Sequence, residues 1–441
     1  MSGTDWAALL GDLPAGRIAT ARWFARKEAR IAAVRLLDAV ELGEGAALLV
    51  IEVASDDGGR GEYALPARAT ASGLVEAVPG DGVLARLAAG AAGLEGTGVG
   101  LPPDVDEAPL GSDQSNTSVA LGGRVAAKCY RRLQPGPHPE VELTTYLSRE
   151  ARVDGVPAVR GSLAWRGADG EERALLLAQD LVPGAIDGWS WAEGVLGELL
   201  DGGDQAAAAA HATGVGALTA RLHVALAAAR GVPGFEPRRA GAAEREAWRV
   251  AAGRQLEQAL SLLRGEVRAE VAAGEPAIRA RLDGLAADGP APLLTRVHGD
   301  YHLGQLLAGA GALAVVDFEG EPTRTTAERR ALSSPLRDLA GLLRSYDHLA
   351  RMVLRHRGDR PAEVAPAEAW IEACRGRVLR AYGAGLAGSE LDVDPVLLDA
   401  FEMEKETYEF VYAATFLPEW LYAPRAAMTA LLRTPPPAAA S

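Results

Sequence analysis

Val297-His298-Gly299-Asp300-Tyr301-His302-Leu303-Gly304-Gln305, followed shortly by Ala314-Val315-Val316-Asp317-Phe318-Glu319, decides how this 441-residue chain is read. It is a polar interruption in an otherwise helical half, and it is rich in oxygen donors. Asp300 carries a carboxylate that can hydrogen-bond to an attacking hydroxyl or take its proton. Farther along, Gln305 offers an amide oxygen, a hard ligand suited to Mg²⁺. Asp317 ends an apolar strand and can reach the same ion. A group that orients a hydroxyl and oxygen ligands for a metal are what phosphoryl transfer asks of a protein.

The order His-x-Asp, then Gln, then a hydrophobic strand ending in Asp-Phe follows the catalytic-loop and metal-strand layout of kinases. It predicts an α+β, protein-kinase-like, two-lobed fold. A competing chemistry makes His298, Asp300 and His302 the ligands of a hydrolytic metal. That reading wants further clusters, whereas His138, His211, His223, His348 and His356 are scattered singly and read as surface or capping residues.

Working outward, a kinase also needs a lysine on a β-rich lobe. Ser118–Leu121 and Val125–Tyr130 flank Gly122-Gly123, a two-residue hairpin turn that requires positive φ. Lys128 sits on the second of these strands. His138-Pro139-Glu140 then opens a helix, because proline and acidic groups suit a first turn. Glu140 and Glu142 both fall there as candidate partners of the lysine. Ahead of the hairpin, Ser115, Asn116, Thr117 and Ser118 offer hydroxyls and N–H groups to phosphate oxygens, in a loop that begins at Gly111.

Residues 30–70 alternate as a β-meander, and 90–110 read as a linker. Val159–Trp165 and Arg173–Leu181 are further strands around Ala168-Asp169-Gly170. Beyond Val182-Pro183-Gly184 the pattern is helical, broken at Thr295–Val297 and Ala312–Val316. The expected division is a cap at 1–100, a β-rich intermediate subdomain at 101–182 and a helical lobe at 183–441.

Composition excludes several classes. Against 59 acidic side chains stand 45 basic ones, a net charge of −14, which repels nucleic-acid backbones and anionic membranes. Cys129 and Cys374 are too far apart in sequence to suggest a disulfide framework and read as buried apolar residues in a reducing, cytoplasmic setting. The first residues lack the basic and apolar regions of a signal peptide. Partners are thus expected to be small molecules, with the chain a monomer or loose homodimer.

These landmarks resemble the aminoglycoside-phosphotransferase-like kinases and, within them, the actinobacterial maltokinase and glucosamine kinase group. The similarity also rests on Arg22-Trp23-Phe24-Ala25-Arg26-Lys27, Asp113-Gln114, Pro183-Gly184-Ala185-Ile186-Asp187-Gly188-Trp189, Gly320-Glu321-Pro322 and Pro335-Leu336-Arg337-Asp338-Leu339-Ala340-Gly341. The resemblance implies ATP at a hinge formed by Gln179, Leu181 and Val182, with Mg²⁺ on Gln305 and Asp317. It implies Asp300 as catalytic aspartate, Lys128 as phosphate-binding lysine, Glu142 as its partner and Asp338 as an anchor of the catalytic loop. Tyr301 and Asp180 depart from the maltokinase pattern of Leu and Glu, and so point to glucosamine, phosphorylated at its 6-hydroxyl.

The C-terminal segment adds a physical argument. Lys405, Tyr408, Glu409 and Tyr412 share one helical face. With Trp420, and with Asp180, Asp300 and His302, they supply carboxylates for an amino sugar's ammonium and hydroxyls, and rings for its C–H faces. Maltose, an aminoglycoside antibiotic and a nucleotide-binding pseudokinase are the alternatives; retention of Asp300 argues against the last.

Overall fold

The computed structural model describes residues 4–24, 26, 28–111, 115–309, 312–321 and 323–437. Two compact units emerge: residues 1–150 with 157–183, and residues 151–156 with 184–441. The expected cap and intermediate segments thus fall together in the first unit, and the chain passes to the helical unit at Pro183-Gly184.

In the first unit, β1 (Ile31–Gly43), β2 (Ala46–Ser55), β3 (Arg60–Thr70) and β4 (Gly73–Glu76) form an antiparallel meander. The strand β2 is buried on both faces, which explains its unbroken apolar sequence. Alternation sends Ala47, Leu49 and Ile51 toward Trp6, Leu10 and Ile18 of the short helices α1 (Trp6–Gly11) and α2 (Ala15–Thr20). Leu48 and Val50 face the opposite core, with α3 (Val83–Ala89). Each such fully buried aliphatic side chain contributes about 1.5–3 kcal/mol.

The second sheet of this unit is antiparallel, in the order β5 (Glu95–Thr97), β10 (Val159–Arg166), β11 (Glu172–Asp180), β8 (Val125–Cys129), β7 (Thr117–Leu121), β6 (Glu107–Pro109). The 90–110 segment read as a linker therefore supplies both edge strands. Each spans only three residues, too few to show a period, and each is ordered by its neighbour. Gly122 and Gly123 have φ of 55° and 62°, as the hairpin requires. The short β9 (Arg132–Leu133) returns to pair with β3, and α4 (Pro139–Thr145) follows, with His138 at its N-cap.

The second unit is built from α5 (Gly188–Leu200), α6 (Gln205–Ala227), α7 (Ala242–Leu262), α8 (Gly265–Leu282), α9 (Thr326–Arg330), α10 (Leu336–His356), α11 (Pro361–Gly385), α12 (Pro395–Phe416) and α13 (Tyr422–Arg433). Small strands punctuate them: β12 (Ile186–Asp187), β13 (Arg238–Arg239), β14 (Leu293–Leu294), β15 (Leu306–Gly309) and β16 (Ala312–Val315). The strand expected at Thr295–Val297 is β14, two residues earlier, continued by a single bridge between Thr295 and Ser333.

The helix α10 is buried almost throughout, from Leu336 to Leu354, including charged Arg344, Asp347 and His348. Buried charges persist only when paired. Arg344 Nη2 meets Asp347 Oδ2 at 2.6 Å, His348 bonds to Glu406 of α12, and Arg375 of α11 binds Glu402 at 2.6 Å. His223 and His348, read as surface or capping residues, are therefore core residues with specific partners; single-residue sequence context carries no sign of such distant pairing. Both cysteines are buried thiols, as expected. Among the described residues no helix is long and apolar enough to cross a membrane.

Candidate active site

The loop from Val297 to Gln305 is fixed by one face of α10. Asp338 Oδ2 accepts from His298 N at 2.7 Å, and its Oδ1 accepts from Gly299 N at 2.9 Å. One turn on, Gly341 lets the loop come close: a Cβ there would lie 2.8 Å from the Tyr301 carbonyl oxygen. A further turn on, Ser345 Oγ accepts from Leu303 N at 3.1 Å while donating to Leu342 O. Positions 338, 341 and 345 fall on one helical stripe, so a rigid helix sets three successive points of the loop.

Asp338 is itself held. Burial alone raises its pKa, but the hydrogen bond from His223 and the nearby imidazoles outweigh this and leave it below the ordinary carboxylate value. His223 Nε2 lies 3.3 Å from Asp338 Oδ2, and its Nδ1 lies 2.9 Å from the Tyr382 hydroxyl. His298 receives Asp300 N on Nδ1 at 3.4 Å and places Nε2 3.0 Å from the Val316 carbonyl. That pattern sets the tautomer with Nε2 protonated. His298 thus ties loop to strand and packs against Phe318, the ring centroids 4.8 Å apart, in a structural role and not as the ligand of a hydrolytic metal.

With Tyr301, Leu303 and Phe318 buried, Asp300, His302, Gln305 and Asp317 are left half-buried on the loop and strand. Hairpin register then sets the backbones of Gln305 and Asp317 on neighbouring strands. Leu306 pairs with Val315, and Val316 N donates to Gln305 O at 3.0 Å, so Gln305 lies across from the residue preceding Asp317. Asp317 leaves the strand with φ of 65°, a left-handed conformation that is costly for a residue with a Cβ. A hard amide oxygen and a carboxylate on neighbouring strand ends are of the donor types that suit a magnesium ion. His302 Nδ1 accepts from Gly304 N at 3.0 Å; its Nε2 lies 4.0 Å from Asp300 and 3.4 Å from the Gln305 amide. Burial lowers the His302 pKa, partly opposed by Asp300.

Asp300, Lys405 and Tyr408 line one cavity of about 430 Å³ within this unit. The helical stripe read from the sequence holds: Lys405, Tyr408, Glu409 and Tyr412 lie away from the buried face formed by Glu402, Glu406, Phe410 and Ala413. Within the stripe, Lys405 Nζ is 3.1 Å from Glu409 and 3.9 Å from Glu321, with Tyr408 beneath it. Burial lowers the lysine pKa, but Glu409 and Asp300 outweigh it, and the net shift is upward. Glu409 is thereby already neutralised inside the chain, a pairing that helical spacing permits but does not reveal. Trp420 packs with Trp189 and Tyr422, and the half-exposed Tyr412 stacks with Tyr408 at 6.2 Å.

In the first unit, Lys128 Nζ pairs with Glu140 Oε2 at 3.0 Å, and Tyr130 donates to the same oxygen at 2.7 Å. The glutamate expected beside the lysine was Glu142. Residues two apart on a helix point about 200° apart, so only one of the pair can face β8. Register places Ser118 opposite Lys128, on the same face of the sheet, and Thr117 opposite buried Cys129. The Thr117 hydroxyl and Asn116 carbonyl instead accept from Arg131, at 3.0 and 3.3 Å. Arg131 also binds Ala64 O and Glu76, a structural role the sequence reading missed. Ser115 is exposed at the start of this strand, while Ser112, Asp113 and Gln114 lie outside the described residues, as do Ala25, Lys27 and Pro322.

Gln179 donates to Pro157 O at 3.2 Å, and Leu181 N bonds to Arg124 O, leaving Leu181 and Val182 half-buried. Asp180 has both oxygens engaged by Arg160, its Oδ2 at 2.8 Å. A sugar ammonium at Asp180 would have to compete with this exposed arginine pair.

A carboxylate on a helix-braced loop, oxygen donors at the following strand end and a glutamate-paired lysine on a β-sheet define a phosphotransferase. The sequence profile of the phosphotransferase enzyme family matches residues 106–383, and the chain belongs to that family. It is 34% identical over 430 residues to the glucosamine kinase of Streptacidiphilus jiangxiensis, covering 92% of this chain and 93% of that one. To the glucosamine kinase of Mycolicibacterium smegmatis it is 33% identical over 335 residues, covering 74% and 79%. Among solved structures, a glucosamine kinase in its crystal form B superposes with a TM-score of 0.79 at 29% identity, covering 98% of this chain and 100% of that one. A glucosamine kinase in complex with glucosamine, ADP and inorganic phosphate gives 0.75 at the same identity and coverage.

Proposed function

We propose that this protein is a cytoplasmic glucosamine kinase, transferring the terminal phosphoryl group of ATP to the 6-hydroxyl of D-glucosamine. The observation that carries the reading is Asp300, braced through its loop by α10 and opening onto a cavity it shares with Lys405 and Tyr408. The acceptor hydroxyl hydrogen-bonds to the Asp300 carboxylate, which takes its proton as the new O–P bond forms and the bond to ADP breaks. The loop's anchorage to α10 keeps that carboxylate positioned. Lys128, itself oriented by Glu140, offsets charge on the nucleotide phosphates. Gln305 and Asp317 would hold magnesium, which when bound shields the phosphates and stabilises charge developing on the leaving oxygen.

The test is ADP release with ATP and Mg²⁺ against glucosamine, glucose, maltose and an aminoglycoside, with the product's phosphate position read by NMR. Turnover is expected with glucosamine, at C6. Asp300→Asn is expected to lower kcat by roughly 10²–10⁴-fold with an unchanged melting temperature. Phosphate on the anomeric oxygen of maltose, or parental turnover by Asp300→Asn, refutes the assignment.

A further inference from the structure

The cavity beside Asp300 is larger than its proposed task. At about 430 Å³ it falls in the range of roughly 300–1,000 Å³ that encloses drug-sized ligands, more than a single pyranose ring occupies. One of its walls comes from α7 (Trp248, Gln255), the start of α10 (Arg337) and the adjoining turns of α12 (Phe401, Glu404). Nothing in the transfer of a phosphoryl group to a free hexosamine calls on these residues.

That wall is nonetheless organised. The Arg337 guanidinium lies 4.6 Å from the Phe401 ring and 5.7 Å from the Trp248 ring, and its Nη1 is 2.8 Å from Glu404 Oε2. Gln255 Nε2 donates to Glu404 O at 2.8 Å and Thr407 Oγ1 at 2.9 Å, leaving its carbonyl oxygen without a donor among the described residues. Planar donors and acceptors are therefore fixed beside an indole before any ligand arrives, and their ordering entropy is already spent.

The charge balance identifies the class of occupant. Four cationic and five carboxylate side chains line the cavity, so it carries no net positive field with which to hold a phosphate or another anion. Paired arginine and glutamate groups next to aromatic rings suit a neutral polyhydroxylated ring: hydroxyls meet the fork and carboxylate, and the C–H face meets the indole.

We propose that this cavity is a subsite for a second sugar ring joined to the glucosamine unit, so that the substrates include glucosaminides with a neutral aglycone. The proposal rests on the kinase reading above, and the experiment separates the two. Initial rates with ATP and Mg²⁺ are measured for glucosamine and for the disaccharide glucosaminyl-β-1,4-glucose, whose second ring is neutral. The parent protein and two variants are compared, Trp248→Ala, which removes the indole, and Ala251→Trp, which fills the cavity from α7. The disaccharide is expected to be phosphorylated, and its kcat/KM relative to that of glucosamine is expected to fall on the order of ten-fold in each variant. Melting temperatures establish which variants are folded, and either one alone suffices. Glucosamine turnover with a disaccharide that is neither phosphorylated nor inhibitory overturns the subsite and leaves the kinase reading intact. An unchanged ratio in a folded variant also overturns it. Failure of both sugars removes the kinase reading and the subsite together, whereas turnover of the disaccharide alone sustains the subsite and corrects the substrate.

Discussion

Replacing Asp338 with alanine removes three contacts at once: to His298 N at 2.7 Å, Gly299 N at 2.9 Å and His223 Nε2 at 3.3 Å. The carboxylate is 2% exposed, so water cannot readily take its place. A buried donor left unpaired costs roughly 1–3 kcal/mol, and relaxation around the small alanine recovers part of that. The expected loss is about 3–5 kcal/mol, the range found when one partner of a buried pair is deleted. At about 2–4 °C per kcal/mol for a unit of this size, melting should fall by about 10 °C. Activity is affected too, because the freed amides are those of the two residues preceding Asp300, and a shift of about 1 Å can cost 100-fold in rate. Asp338→Asn keeps one acceptor oxygen but turns an NH₂ toward a donor, so it should lie between alanine and the parent. Thermal denaturation followed by circular dichroism, with kcat measured below the transition, reads both effects. An alanine variant that melts within 2 °C of the parent and keeps its kcat would refute the brace.

Two further outcomes follow from α10. Gly341→Ala places a methyl group 2.8 Å from the Tyr301 carbonyl oxygen, a backbone atom that must move; kcat should fall at least ten-fold with a modest loss of stability, and unchanged kinetics would show that the loop tolerates displacement. For His348, burial lowers the pKa, but the Glu406 contact outweighs it and the net shift is upward from 6.5. Its protonated form is therefore favoured in the folded state, so its contribution is fully present below pH 6.5 and is lost as pH rises through the higher folded value. Urea unfolding at stepped pH should show the parent losing stability faster above pH 6.5 than His348→Gln, and parallel slopes would exclude this linkage.

The candidate catalytic loop was legible in the sequence because its polar residues are close together in the chain. Asp300, Gln305 and Asp317 fall within one loop and one hairpin, where spacing alone nearly dictates proximity. The terminal-helix stripe was legible for the same reason, since a period of 3.6 is a property of neighbours. Distance in the chain hid the rest. Ser345, His223 and Tyr382 support the loop from three helices, and no local pattern marks a buried serine as an acceptor for a remote amide. Arg131 claims Asn116 and Thr117 because the two sheets of its unit come together there, which a strand-by-strand reading does not foresee. The preference for Glu140 over Glu142 turns on which side of a seven-residue helix faces β8, a rotation too fine for composition to set.

Asp317 sits at a φ of 65°, where a residue with a side chain is strained by roughly 1–2 kcal/mol and glycine is at ease. A library sorted only by survival of heating would therefore tend to collect Asp317→Gly, and every hardened clone bearing it would have lost the carboxylate proposed to hold magnesium. Screening of this chain for durability has to be coupled to a turnover readout, because at this position thermal selection and catalysis pull the sequence in opposite directions.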